Sequence, residues 1–222
     1  MPLKKTVRRG VVGIESAIVL IAFVVVAAAI AFVVLNSGFQ TTEKAKSTIT
    51  AGLSEASSGL EVAGAATAKG NLTSSSVAAY TIPVKLAAGG SSIDVSKEKT
   101  VVRYTSKNVS YDNIYVGIMS NTTFASMDDA IQQARDENKI LRKPGEGAGP
   151  TKTAAIIYFA TNSNNNNILD PAEQAMVLVV FKDSERPAAL DVTRLEIIPT
   201  SGAPLTVERA IPPVADTVLR LD

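Results

Sequence analysis

Residues 4–35 read KKTVRRGVVGIESAIVLIAFVVVAAAIAFVVL, and the order of chemistry in that stretch decides how the rest of the chain is read. Four bases, Lys4, Lys5, Arg8 and Arg9, precede Gly10. One acid, Glu15, follows the glycine, and from Ala17 to Leu35 no side chain is charged or strongly polar. At about 1.5 Å of rise per residue, the run from Ala17 to Leu35 makes a helix of roughly 28 Å, close to the hydrocarbon thickness of a bilayer. By length and polarity it can span a membrane, with a basic flank of the kind held on the cytoplasmic side.

A secretory signal ends its apolar region at a small-residue cleavage site. Here Ala27, Ala28 and Ala29 lie inside the run, and the apolar residues continue to Leu35. A plain single-pass anchor, or an uncleaved signal anchor, needs only the bases and the run. Either leaves Glu15 unexplained, because a carboxylate just inside an apolar span is costly. The ordered set of basic leader, glycine, acid and apolar run resembles the class III signal of type IV pilins and, more closely, of archaeal flagellins (archaellins). In those families a membrane peptidase cuts after the glycine and the apolar helix becomes the core of a filament. The resemblance implies a cut between Gly10 and Val11 by a prepilin-type signal peptidase. It further implies residence in the membrane before assembly and a homopolymer formed through the N-terminal helix. Glu15 would be the fifth residue of the mature chain, where the pilin acid is thought to pair with the new amino terminus of a neighbouring subunit during assembly.

The chain of 222 residues has room for such a helix and one domain of ordinary size. With 46% hydrophobic residues it is too apolar to be disordered. The four bases of the first ten residues, taken from 22, leave 18 against 21 acids, a net of −3 that gives no case for nucleic acid. There is no cysteine, hence no thiolate chemistry, and no histidine, the commonest general base and zinc ligand. Neither a nucleotide loop nor a GxSxG elbow occurs, so the chain is read as a non-enzyme.

Beyond Leu35, the apolar residues Phe39, Ile49, Leu53, Ala56, Leu60 and Ala63 close on gaps of 3 and 4, one face of a helix. The spacing predicts a long helix over 11–66, lipid- or helix-packed in its first part and striped for a folded domain in its second, with Asn36-Ser37-Gly38 as a place to end or bend. From 67 to 222 the pattern turns to alternation. Tyr80, Ile82, Val84 and Leu86 read as a half-buried strand before a Gly89-Gly90 turn. Further strands are predicted over 100–105, 109–119, 153–160, 175–181, 190–198, 204–211 and 217–221. One helix interrupts them, with Phe124, Met127, Ile131 and Ala134 at helical spacing and Ser126 as cap. A loop over 142–150, rich in proline and glycine, follows it. Strand after strand separated by turns gives an α+β chain: a long hydrophobic helix, then an antiparallel β domain. That this domain is an immunoglobulin-like sandwich is what the archaellin resemblance implies.

Two features of the β-rich part carry site chemistry. Asn71, Asn108 and Asn121 each open an N-x-S/T acceptor sequence for N-glycosylation, and archaellins as a family are often glycosylated. Residues 162–173, NSNNNNILDPAE, place oxygen-bearing side chains Asn162, Asn164, Asn166 and Asp170 at loop positions one, three, five and nine, with Glu173 at twelve. That is the spacing of a calcium loop. No cofactor is required on this reading; calcium is the structural ion the loop is suited to. The loop departs from the pattern in having Asn162 for the first Asp and Asn167 for the turn Gly. The competing reading is an Asn-rich turn between strands, since Asn tolerates positive φ and bonds its own backbone. The resemblance as a whole implies a subunit of an extracellular cell-surface filament, the archaellum rotated for swimming. An adhesive archaeal pilin and a monomeric membrane-anchored binding domain are the alternatives.

Overall fold

The computed structural model describes residues 11–57, 59–124, 126–137, 139–140 and 150–221. The basic leader with Gly10, and the Pro/Gly-rich segment up to Gly149, lie outside the described residues. The chain divides into two compact units, Met1–Gly52 and Leu53–Asp222.

Helix α1 spans Val11–Ser57. Val, Ile and Ala dominate its first half, and β-branched residues are indifferent helix formers in water. The apolar run has no proline, however, and a helix is the one conformation of a single segment that satisfies every backbone group without water. Asn36, Ser37 and Gly38 neither end nor break it. Thr41 Oγ1 donates to Ser37 O at 2.8 Å and Thr42 Oγ1 to Gly38 O at 2.9 Å, so these hydroxyls are satisfied by the helix's own carbonyls.

The helix stops at Ser57 rather than near residue 66. Leu60–Val62 is strand β1 and Ala66–Asn71 is β2. Spacings of three and four through Gly59 and Gly64 fit a helix on paper. Yet residues 60 and 62, and 66 and 68, equally fit the period of two of a strand, and burial in a sheet decides between them.

The remaining strands are β3 (Ser76–Leu86), β4 (Ile93–Asp94), β5 (Thr100–Thr105), β6 (Ser110–Tyr111), β7 (Tyr115–Thr123), β8 (Ala154–Thr161), β9 (Ile168–Leu169), β10 (Gln174–Val180), β11 (Val192–Pro199), β12 (Leu205–Ala210) and β13 (Val218–Leu221). One sheet runs β13-β2-β3-β10-β8-β7, with β1 also paired to β3; a second runs β12-β11-β5-β6; β4 and β9 form a small ribbon. The predicted strand over 109–119 is two strands. Asn113 separates them, its Oδ1 accepting from Tyr115 N at 2.9 Å, and the chain passes there from the smaller sheet to the larger.

The two sheets face each other across a core. Tyr80, Ile82 and Val84 of β3, Ala155, Ile157 and Phe159 of β8, and Ala175, Val177 and Val179 of β10 meet Val102, Tyr104, Leu195, Ile197 and Val207 of the smaller sheet. Phe181 sits between Tyr80 and Tyr104, ring centroids 5.4 Å from each. Alternate residues of the same strands, Ile156, Tyr158, Leu178 and Val180, point the other way and pack under Ala130, Ile131 and Ala134 of helix α2, Met127–Asp136. This double covering is why β8 and β10 are almost continuously apolar. Ser126 caps α2, its side chain accepting from Asp129 N at 3.2 Å. Because α2 lies in the connection between them, β7 and β8 pair parallel, the exception in an otherwise antiparallel sheet. The chain is thus an α+β molecule, a long N-terminal helix followed by a mostly antiparallel two-sheet domain.

Candidate functional site

The first candidate surface is α1 itself. Every residue from Gly13 to Leu53 is exposed, including Phe23 at 74% and Phe32 at 71%. The stripe formed by Phe39, Ile49 and Leu53 is exposed as well, at 63–69%. A helix that is apolar all round must be covered by lipid or by other helices, and an uncovered apolar surface of this length is foreign to a soluble monomer. Phe23, Ala27, Ile30, Val34 and Gly38 line one side of it at spacings of three and four, with small residues among them that permit close helix approach. Glu15 stands at the other end with Ser16, Val19, Leu20 and Phe23. Val11 is the first residue of α1, and Gly10 lies outside the described residues.

The Asn-rich loop joins β8 to β10 and carries β9 within it, so strands flank it on both sides. It is built from side chains turned onto its own backbone. Asn162 Oδ1 accepts from Asn165 N at 2.8 Å, Asn164 Oδ1 from Asn166 N at 3.2 Å, and Asn166 Oδ1 from Ile168 N at 2.8 Å. Asn165 adopts a φ of 55°, a conformation asparagine tolerates. Glu173, 3% exposed, accepts from Ser163 N through Oε1 at 2.7 Å and from Asp170 N through Oε2 at 3.1 Å, closing the loop from its far end. Asp170 receives Asn164 Nδ2 at 2.6 Å and the hydroxyl of Ser92. The Ser92 hydrogen bond, then that of Asn164, holds the Asp170 carboxyl below the usual carboxylate range. β4 pairs with β9 through Ile93 and Leu169, which fastens the loop to the β3–β5 connection.

All five side chains singled out in the sequence thus belong to one hydrogen-bonded loop. Only Asp170 and Glu173 are ionisable, and among the described residues no group of three or more His, Cys, Asp or Glu is gathered for a metal. Sequence reasoning missed Ser92, whose sequence distance from Asp170 conceals the contact.

The acceptor asparagines are scattered. Asn71 ends β2, and its Oδ1 accepts from Thr73 N at 3.0 Å and Ser74 N at 3.3 Å. Asn108 is exposed in the turn between β5 and β6. Asn121 falls on β7, and its side chain lies outside the described residues.

Comparison with known proteins agrees with the helix-plus-sandwich plan. The family model described as archaeal-type flagellin matches residues 10–209. A protein of Aeropyrum pernix named probable flagellin 1 is 39% identical over 208 residues, covering 92% of this chain and 93% of its own. Probable flagellin 1 of Archaeoglobus fulgidus is 32% identical over 96% of this chain and 95% of its own. Among solved structures, an archaeal flagellin of Methanocaldococcus jannaschii is similar with a TM-score of 0.59 at 14% identity, over 74% of this chain and 96% of that one. The archaeal flagellum of Methanospirillum hungatei is similar with a TM-score of 0.58 at 24% identity, over 95% and 99%. With nine-tenths of its length matched by the family model, the chain belongs to the archaeal-type flagellin family and is a subunit of the archaellum filament.

Proposed function

We propose that the chain is made with a cytoplasmic basic leader, held in the membrane by α1, cut between Gly10 and Val11 by a prepilin-type peptidase, and then polymerised through α1 into an extracellular filament rotated for swimming. The observation that carries this reading is the uncovered apolar surface of α1 from Gly13 onward. A membrane supplies apolar surroundings before assembly, and a bundle of identical helices supplies them afterwards. Moving a helix from lipid into such a bundle gains little hydrophobic free energy, because both environments are apolar; packing of small residues and polar pairing must decide the register. Glu15 supplies the polar element. An unpaired ionised carboxylate in apolar surroundings is costly, and the α-amino group of a mature Val11 on a neighbouring subunit is a cation that offsets the cost.

The chain acts by assembly and not as an enzyme. Asn71 and Asn108, with Asn121, are the acceptors for N-linked sugar on the outer domain; mass spectrometry of filament glycopeptides tests them. The Asn-rich loop is in this reading a self-bonded turn between strands, with structural calcium as the alternative. Asn162, Asn164 and Asn166, the carbonyl of Ile168, Asp170 and Glu173 have the oxygen chemistry and order it requires. With two carboxylates the site suits millimolar calcium outside the cell.

The test of processing is Gly10→Val, which crowds the peptidase site. It should leave the leader attached and filaments absent; wild-type subunits carrying residues 1–10 within filaments would refute the cut.

A further inference from the structure

A crevice of about 250 Å³ opens between helix α2 and the larger sheet. Buried Ala79 of β3 and Val180 of β10 line it on the sheet side. The rest of its lining is largely polar and comes from segments far apart in sequence. Lys69 follows the buried Ala66 and Ala68 of β2, so the period of two turns it away from the core between the sheets and toward α2. Asp128, Gln132 and Arg135 stand four and three residues apart on α2, the spacing of one helical face. Arg186 enters from the end of the 3-10 turn Asp183–Glu185.

Arg186 carries the inference. Its side chain is only 18% exposed, and Nη2 is held by Asp183 at 2.5 Å, yet its Nε is buried and has no acceptor among the described residues. A buried donor left unmade is costly, and native structures supply such groups with a partner. Lys69 is bonded to Asp128, but both side chains are well exposed, at 43% and 66%. Exposed pairs of this kind contribute little, so the Lys69 ammonium is readily shared with a second acceptor.

We propose that the crevice binds one tetrahedral oxoanion, sulfate or phosphate, with Arg186 Nε and the Lys69 ammonium as donors. The volume is below the roughly 300–1,000 Å³ of pockets that hold drug-sized ligands, so the occupant is small. Water would satisfy the Nε donor but not the charge. Lys69, Arg135 and Arg186 line the crevice against Asp128 alone, and Asp183 beyond it offsets only one more cation. A guanidinium presents several donors in a fixed plane, so Arg186 can keep Asp183 on Nη2 while Nε serves the anion. The bound ion would fasten β2, α2 and the turn after β10 to one another.

Equilibrium dialysis of radiolabelled sulfate, and separately of phosphate, against the full-length chain in neutral detergent at constant ionic strength tests this. We expect one ion per chain for at least one of the two. Arg186→Lys keeps the charge beside Asp183 but lacks the Nε–H, and Gln132→Glu sets a carboxylate on the crevice wall at an exposed helix position. Each should weaken binding about tenfold or more. Lys85→Gln, which removes a cation paired with Glu61 outside the crevice, should leave binding unchanged. Near-UV circular dichroism checks the fold of each variant; should Arg186→Lys not fold, Gln132→Glu still decides. Absence of a stoichiometric ion on the wild-type chain would overturn the site. Wild-type affinity in Gln132→Glu or in folded Arg186→Lys, or an equal loss in Lys85→Gln, would overturn it as well.

Discussion

Asp170 and Glu173 show how much a single carboxylate does in a loop made mostly of asparagine. Glu173 is buried and serves two backbone amides, so Glu173→Ala strands both N–H groups; we expect a loss of about 1–3 kcal/mol in stability, read as a lower thermal midpoint. If calcium is bound, chelation lowers the wild-type midpoint and leaves Glu173→Ala unmoved. A wild-type midpoint indifferent to millimolar calcium leaves the loop as a self-bonded turn. Asp170 has a lowered folded pKa, so its contribution is present above the ordinary carboxylate pKa and is lost as pH falls through the lowered value. Ser92→Ala removes the largest cause of that lowering. The variant should therefore be less stable than wild type at neutral pH and converge with it once the pH has fallen below the lowered Asp170 pKa; a gap that stays constant as the pH falls would contradict the assignment. At this scale, the asparagine spacing and Glu173 were legible in the sequence because the loop is local. The partnership of Ser92 with Asp170 was not, since only the pairing of β4 with β9 brings them together.

At the scale of elements, alternation and helical spacing located the longer strands from β3 onward and α2 with its Ser126 cap, because those patterns record which face is buried, but not β1, β2 or the short β4 and β9. Ser126→Ala should cost about 1 kcal/mol through loss of the bond to Asp129 N, measured by denaturant titration; no change in midpoint would show that the cap is dispensable. What the pattern could not resolve lies where two periods coincide or a strand changes sheets. Leu60 and Ala66 fit both a helix and a strand, and the structure gives them to β1 and β2. Residues 109–119 read as one strand, yet Asn113 splits them between two sheets. The parallel pairing of β7 with β8 follows from a crossover that no local signal announces.

At the scale of the whole molecule, the class III pattern at the start of the chain foretold the family, since basic leader, glycine, acid and apolar run must occur in order. The apolar helix is the part of the chain whose exposed surface calls for lipid or other helices, and in the proposed assembly Glu15 is the polar group to be matched when copies meet. Glu15→Gln keeps size and hydrogen bonding but removes the charge. It should insert and be cut normally yet assemble slowly or not at all; filaments of wild-type yield and length would rule out the pairing role. The central claim, polymerisation through α1, is tested most directly by helical reconstruction of filaments sheared from the cell surface. The account predicts a core of packed α1 helices beginning at Val11, with Glu15 beside the amino terminus of a neighbouring subunit and the β domains outside. Filaments of this chain whose core is formed by anything other than α1 would contradict it.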